Sequence, residues 1–167
     1  RKDEQPFIFQ LDPAAEEQVL EVEPDGGRRM ASYWRDGRKV GHRFWHDGRV
    51  AMEYRIEDDL MHGPCRRYHD NGRVMEASTY VRGLEHGVTR QFDEEGVLLG
   101  TYELDHGSGL DLWYEAVGVL AEERRLDKGR WHGFERWWSG DNATVYIEGH
   151  FFDGQEHGIF REWNERQ

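Results

Sequence analysis

Glycine recurs along this chain at a nearly fixed interval. Gly41, Gly63, Gly87, Gly109, Gly133 and Gly158 are separated by 22, 24, 22, 24 and 25 residues. A period of that length is the mark of a repeat architecture and has to be recognised before any element is read alone. In four of the six copies His precedes the glycine: His62, His86, His132 and His157. Four residues earlier stands a second turn residue, Gly37, Asp59, Gly83, Gly129 or Gly154, while Gly107 stands two before Gly109. A third turn lies near the middle of each copy, at Asp47-Gly48, Asn71-Gly72, Glu95-Gly96, Val117-Gly118 and Ser139-Gly140-Asp141-Asn142.

Short runs rich in aromatic and β-branched residues separate these turns. Asp-Gly or Asn-Gly between such runs is the strongest local signal for a β-hairpin, so each copy reads as one hairpin. Five residues after the leading glycine come Tyr68, Phe92, Tyr114, Trp138 and Trp163, and Phe44 joins them if the first copy carries a deletion. Trp34, Ile56, Tyr80, Leu104, Leu126 and Phe151 form a second apolar column, and Val50, Val74, Leu98 and Leu120 a third. These columns are the expected core. No window offers the i, i+3, i+4, i+7 apolar pattern of a helix without crossing a glycine. One helical turn is expected at Asp12-Pro13-Ala14-Ala15-Glu16-Glu17, where Asp can cap and Pro suits the first helical position. Val19 to Glu23 and Arg28 to Asp36 read as a further hairpin around Asp25-Gly26-Gly27, and Pro6-Phe7-Ile8-Phe9 as a capping strand. The expected organisation is an N-terminal capping segment, 1–24, and a repeat domain, 25–167.

Composition narrows the function. Leu, Ile, Val and Phe together make about 20% of the chain, close to the disorder boundary. An aromatic content of 13%, with 7 Trp, supplies the burial that folding needs. No apolar run approaches the ~20 residues of a membrane helix. The net charge of -12 repels phosphate backbones and anionic lipid, so a basic protein is the expected partner, with nucleic acid excluded and membrane docking disfavoured. The single Cys65 rules out an internal disulfide and a four-cysteine zinc site. A cytoplasmic location is expected, with an extracytoplasmic one after leader removal as the alternative.

The stretch HGPCRRYHDNGRVMEASTYVRGLEHG, residues 62–87, is similar to the MORN-repeat variant: His-Gly, an aromatic strand, Asn-Gly, a second strand with a central Glu and a late aromatic, then Gly-x-x-His-Gly. The pattern runs with losses over residues 26–163. The central Glu lies four residues after the central Gly at Glu76 but five after it at Glu53 and Glu123, and Gly109 has no His before it. The resemblance implies an all-β, elongated, twisted antiparallel β-meander of about six hairpin repeats. Proteins of this kind resemble the YwqK-like antitoxin or immunity family, which implies neutralisation of a cognate toxin by direct binding. The alternative role that MORN-type repeats imply is a peripheral scaffold or cell-envelope assembly protein in contact with protein or lipid.

Candidate chemistry is thin. Equivalent histidines in successive hairpins lie two strands, ~9.6 Å, apart, whereas zinc ligands lie ~2 Å from one ion. The histidines before the glycines are therefore expected to pack or hydrogen-bond within their turns, His42 and His46 are too far apart on one strand to share an ion, and no metal or other cofactor is expected. Cys65 with His62 and His69 nearby suggests a thiol nucleophile, but no helix N-terminus or oxyanion hole accompanies it. Glu94-Glu95, Glu122-Glu123 and Glu57-Asp58-Asp59 are what a chain this acidic produces by chance. The reading is a non-enzymatic binding protein, a monomer or an edge-paired dimer. If Tyr68, Phe92, Tyr114 and Trp138 point inward, strict alternation turns Arg67, Gln91, Trp113 and Trp137 outward, with Trp45 beside them. Asp111, Glu115 and Glu135 would flank that row as the acidic part of a partner-binding surface, with a basic toxin the expected partner.

Overall fold

A computed structural model describes residues 9–163. Among them the fold is all-β with no helix, and the strands follow one another as an antiparallel meander. Two compact units divide the chain, one running up to Gly83 and taking in Glu94–Gly96, the other comprising Leu84–Asp93 and the chain from Val97 onward. The first unit contains β1 (Glu16–Val22), β2 (Arg28–Arg35), β3 (Arg38–His46), β4 (Arg49–Glu57), β5 (Leu60–Tyr68) and β6 (Val74–Val81), each paired antiparallel with the next. The second contains β7 (Leu84–Glu85), β8 (Gly87–Phe92), β9 (Leu98–Asp105), β10 (Ser108–Ala116), β11 (Val119–Asp127), β12 (Arg130–Trp138), β13 (Val145–Phe152), β14 (Gln155–Glu156) and β15 (Arg161–Glu162). From β8 to β13 each strand pairs antiparallel with its successor, and β13 also carries β14 and β15.

The hairpin expected ahead of Gly41 is present as β1 and β2. The helical turn expected at Asp12 is absent. Asp12 Oδ1 instead accepts the Ala14 N–H at 2.9 Å, and the Ala15 N–H reaches the Asp12 carbonyl at 2.9 Å, which closes a single turn. Pairing with β2 then draws Glu16 onward into a strand. The capping strand expected at Pro6-Phe7-Ile8-Phe9 lies outside the described residues except for Phe9, which is buried.

Border turns tie each hairpin to the one before. Arg82-Gly83, His106-Gly107 and Lys128-Gly129 all place both residues at positive φ, as a two-residue hairpin turn requires. That conformation is costly for Arg, His or Lys. In each case the N–H of the non-glycine residue meets an acceptor from the preceding copy: His62 Nδ1 for Arg82 at 3.4 Å, His86 Nδ1 for His106 at 3.2 Å and Ser108 Oγ for Lys128 at 3.0 Å. The following glycine N–H bonds a carbonyl one copy back, Met61 for Gly83, Glu85 for Gly107 and Gly107 for Gly129. His62 and His86 thus hydrogen-bond turn backbone, but in the border turn one copy later and not in their own, and Ser108 takes the same role where the His is missing.

Between β9 and β10 the backbone ladder stops early, after Ser108↔Asp105 and Gly109↔Leu104. Gln91 bridges the gap from β8. Its amide donates to the Leu112 carbonyl at 2.9 Å and accepts from the Tyr114 N–H at 3.0 Å, so a side chain does the work of a missing peptide. It passes over Gly100, its cross-strand partner, where a Cβ would sit 2.4 Å from the Tyr114 ring. Gln91→Leu keeps the volume and leaves two partly buried backbone groups unpaired. It is expected to cost roughly 1–3 kcal/mol for each group, read as a lower denaturant midpoint with an unchanged m-value. An unchanged midpoint would show that the bridge is dispensable.

Candidate functional site

Alternation fails at one place on the returning strand of each central hairpin. Phe44 and Trp45 pair with Met52 and Val50, and Arg67 and Tyr68 with Glu76 and Val74. Gln91 and Phe92 pair with Gly100 and Leu98, Trp113 and Tyr114 with Glu122 and Leu120, and Trp137 and Trp138 with Ile147 and Val145. One step on the outgoing strand matches two on the returning strand, so Ala51, Met75, Leu99, Ala121 and Tyr146 are each an extra residue in a β-bulge. The outgoing neighbours keep opposite faces, Phe44 against His42 and Tyr54 and Trp45 under Arg43, while on the returning strand the residues either side of the extra one, such as Val50 and Met52, come to lie on opposite faces.

Exposure does not follow from facing, because both faces are partly covered, and the expected site changes residue by residue. Gln91 is not outward but 2% exposed. Trp45 takes the place in its hairpin that Tyr68 takes in the next, where the sequence reading put Phe44, and it is half-buried beneath the Arg28 and Arg43 guanidiniums at 5.7 and 6.0 Å. Trp113 is half-buried, and Trp137 is 37% exposed. Arg67 is exposed on β5 with its guanidinium 4.0 Å from Glu76. Glu135 is buried and Asp111 largely so, which leaves Glu115 as the exposed carboxylate of the three. The core columns are also less enclosed than expected: Leu104 is fully buried, Tyr68, Phe92, Tyr114 and Trp138 are half-buried, and Leu98 and Trp163 are exposed.

The structure does bring part of the expected set together on one face of the second unit. Trp113 on β10 faces Glu122 on β11, and Glu122 faces Trp137 on β12, so two indoles flank one carboxylate. The next row on the same face is Asp111, Arg124 and Glu135. Arg124 lies 3.2 Å from Asp111 and 3.2 Å from Glu122, although its Nε is not aligned for a hydrogen bond to the latter, and its guanidinium sits 5.2 Å from the Trp131 ring centroid. Asp111 and Glu122 thus flank one guanidinium, with Glu135 cross-strand from it. Burial raises the Glu122 carboxyl to about 7 against the pull of Arg124, with a hydrogen bond to Glu135 and the charges of Glu135 and Asp111 adding to the rise. Glu85, which hydrogen-bonds Thr89 and Tyr102, is also pushed up, by burial first and Asp111 least.

Sequence reasoning missed a polar spine. In the first unit Arg43 holds Glu53 through Nε at 2.8 Å and Nη2 at 2.7 Å, while the Tyr68 hydroxyl donates to the other Glu53 oxygen at 2.5 Å. In the second, Arg136 joins Glu148 at 2.7 Å and Glu123 at 3.3 Å. The signal was an arginine three residues after the glycine at Arg66, Arg90 and Arg136, and two after it at Arg43. Glu76 is not the counterpart of Glu53. The bulge pairing aligns Glu76 with Met52 and Glu122, and Glu53 with Ala77 and Glu123. Cys65 is 2% exposed, between its cross-strand neighbours Tyr54 and Ser78. His42 is buried against Ser32, and burial lowers its pKa.

The raised Glu122 pKa makes stability pH-dependent with a definite sign. Unfolded, the group titrates near its ordinary 4.5, and folded near 7, so the native state binds more protons between these values. Its contribution is full below about 4.5 and is lost as pH rises through about 7. Glu122→Gln should flatten the fall in melting temperature between pH 5 and pH 8 and raise it at pH 8. A variant that melts with the parent's pH profile would place the titration elsewhere. Compared with protein-family models and with curated proteins, the chain gives no match.

Proposed function

We propose that this chain is a non-catalytic binding protein of the MORN-variant type, an antitoxin or immunity protein that occludes a basic toxin. The observation that carries the reading is the aromatic and acidic face on β10 to β12. Arg124 lies 3.2 Å from both Asp111 and Glu122, Glu122 is hydrogen-bonded to Glu135, and this acidic group lies beside the partly exposed indoles of Trp113 and Trp137. A cationic side chain from a partner would relieve the carboxylate repulsion and stack on an indole in the same step. Aromatic anchors of this kind dominate binding energy at protein interfaces. The net charge of -12 would add long-range attraction for a basic protein.

The test is titration of the purified product of the adjacent gene into this protein. A salt-sensitive complex is expected. Trp137→Ala should weaken it by more than roughly 2 kcal/mol while leaving the melting temperature nearly unchanged. Trp113→Ala, at a more enclosed site, should weaken binding and stability together. A protein that ignores that product but floats with anionic vesicles would replace this reading with the scaffold role.

A further inference from the structure

We propose that the border turn between β9 and β10 holds a divalent transition-metal site formed by His86, Asp105 and His106, for which Zn²⁺ is the probe. One donor atom from each of the three lies within 4.8 Å of the other two. His86 Nδ1 is 3.4 Å from Asp105 Oδ1, His106 Nδ1 is 2.6 Å from the same oxygen, and the two imidazole centroids are 4.2 Å apart. Ligands at ~2.0–2.1 Å from a tetrahedral zinc stand about 3.3 Å from each other. The His86 edge of the triangle already has that length, and the His106 edge has to open by about 0.7 Å to match it.

The expectation of no metal rested on the distance between histidines of the glycine column. That argument still holds for the column. His106 lies outside it, in the turn itself, and the meander brings it onto His86 from one copy back. Neither His106 nor Asp105 is required by the turn they occupy. The equivalent turn in the first unit closes on His62 with Arg82 in place of His106, and the next turn closes on Ser108 with Lys128. Those turns put a cation where this one puts a second imidazole, and at the Asp105 position they carry Val81 and Asp127.

Two imidazoles and one carboxylate select Zn²⁺ and its neighbours over Mg²⁺ or Ca²⁺, which prefer all-oxygen shells. On binding, the metal takes the place of the proton shared by His106 Nδ1 and Asp105 Oδ1, and that proton leaves to solvent. His86 Nδ1 exchanges the long 3.2 Å contact with the His106 N–H for a metal bond. The side chains of His86 and His106 are 39% and 57% exposed, so water can reach the fourth position.

The experiment is calorimetric titration of ZnCl₂ into the metal-stripped, tag-free full chain, with melting curves alongside. One site per chain is expected, with a rise in melting temperature on saturation. His106→Asn keeps a residue that tolerates positive φ and should lower the affinity more than about 100-fold, with Asp105→Asn losing at least about tenfold. His62→Ala, at the equivalent turn, should bind as the parent does. Absence of stoichiometric binding, a His106→Asn variant that binds like the parent, or an equal loss in His62→Ala would each overturn the site.

Discussion

One extra residue in each returning strand decides which way the side chains of that strand point. The bulge at Ala51, Met75, Leu99, Ala121 or Tyr146 leaves the outgoing strand alternating and shifts the facing of every returning residue beyond it. Removing the extra residue would exchange the faces of the rest of the strand, because side-chain direction in a strand has period two. The aromatic next to the bulge always meets an aliphatic partner: Trp45 with Val50, Tyr68 with Val74, Phe92 with Leu98, Tyr114 with Leu120 and Trp138 with Val145. That pair closes the strands just before the central turn. The same shift lines up Trp113, Glu122 and Trp137.

Further along the strand the interior is unusually polar. Glu53, Arg66, Gln91, Glu123 and Glu135 are all buried in the middle of strands. A buried ion pair adds little net stability against an apolar pair, but breaking one strands a charge and costs about 3–5 kcal/mol. Such pairs therefore act more strongly on register than on total stability. Arg43 can reach Glu53 with both Nε and Nη2 in one register alone, and the Tyr68 hydroxyl adds a third constraint from the next strand. Burial raises the Tyr68 pKa first and the Glu53 carboxylate next, so the hydroxyl keeps its proton and remains a donor. The Tyr33 hydroxyl is pushed up to about 12 in the same way, by burial and by its hydrogen bond to Glu17 at 2.6 Å, and it accepts from Arg43 Nη1.

What the sequence showed plainly was the order of turns and strands, because Gly and Asp at positive φ leave a visible mark. Asp47-Gly48, Arg82-Gly83 and Lys128-Gly129 are hairpin turns where the spacing put them. What it concealed was facing. A bulge adds a residue with no special chemistry, and Ala51, Met75, Leu99, Ala121 and Tyr146 have nothing in common in composition. The assignment of Gln91 to the surface failed because its side chain lies against the β10 backbone at Leu112 and Tyr114, and that of Trp45 because it, not Phe44, is the counterpart of Tyr68, while Trp137 remains partly exposed beside the central turn of its hairpin. The cluster of His86, Asp105 and His106 was hidden for a different reason. Its members belong to different copies, and a column of equivalent residues never compares a strand end with the turn one copy later.

The uneven repeat lengths have a structural logic. From the aliphatic partner of the bulge to the border turn, at Val50 to Asp59, Val74 to Gly83, Leu98 to Gly107, Leu120 to Gly129 and Val145 to Gly154, the distance is always nine residues. That half carries the bulge at one end and the turn at the other, so one residue more or less would exchange faces against both neighbours. Length varies instead in the outgoing half, around the leading glycine. Against the preceding strand, β5 and β12 each fit two extra residues there, between Met61 and Cys65 and between Trp131 and Glu135. β3 fits one, between Lys39 and Gly41, and β10 shows none across Ser108 and Gly109. The extra residues are taken up in an irregularity before the next paired stretch begins, so the side chains beyond it keep their faces. Gly107 can therefore stand two residues before Gly109 where Gly83 stands four before Gly87, and Trp113 still lies on the same face of the second unit as Gln91.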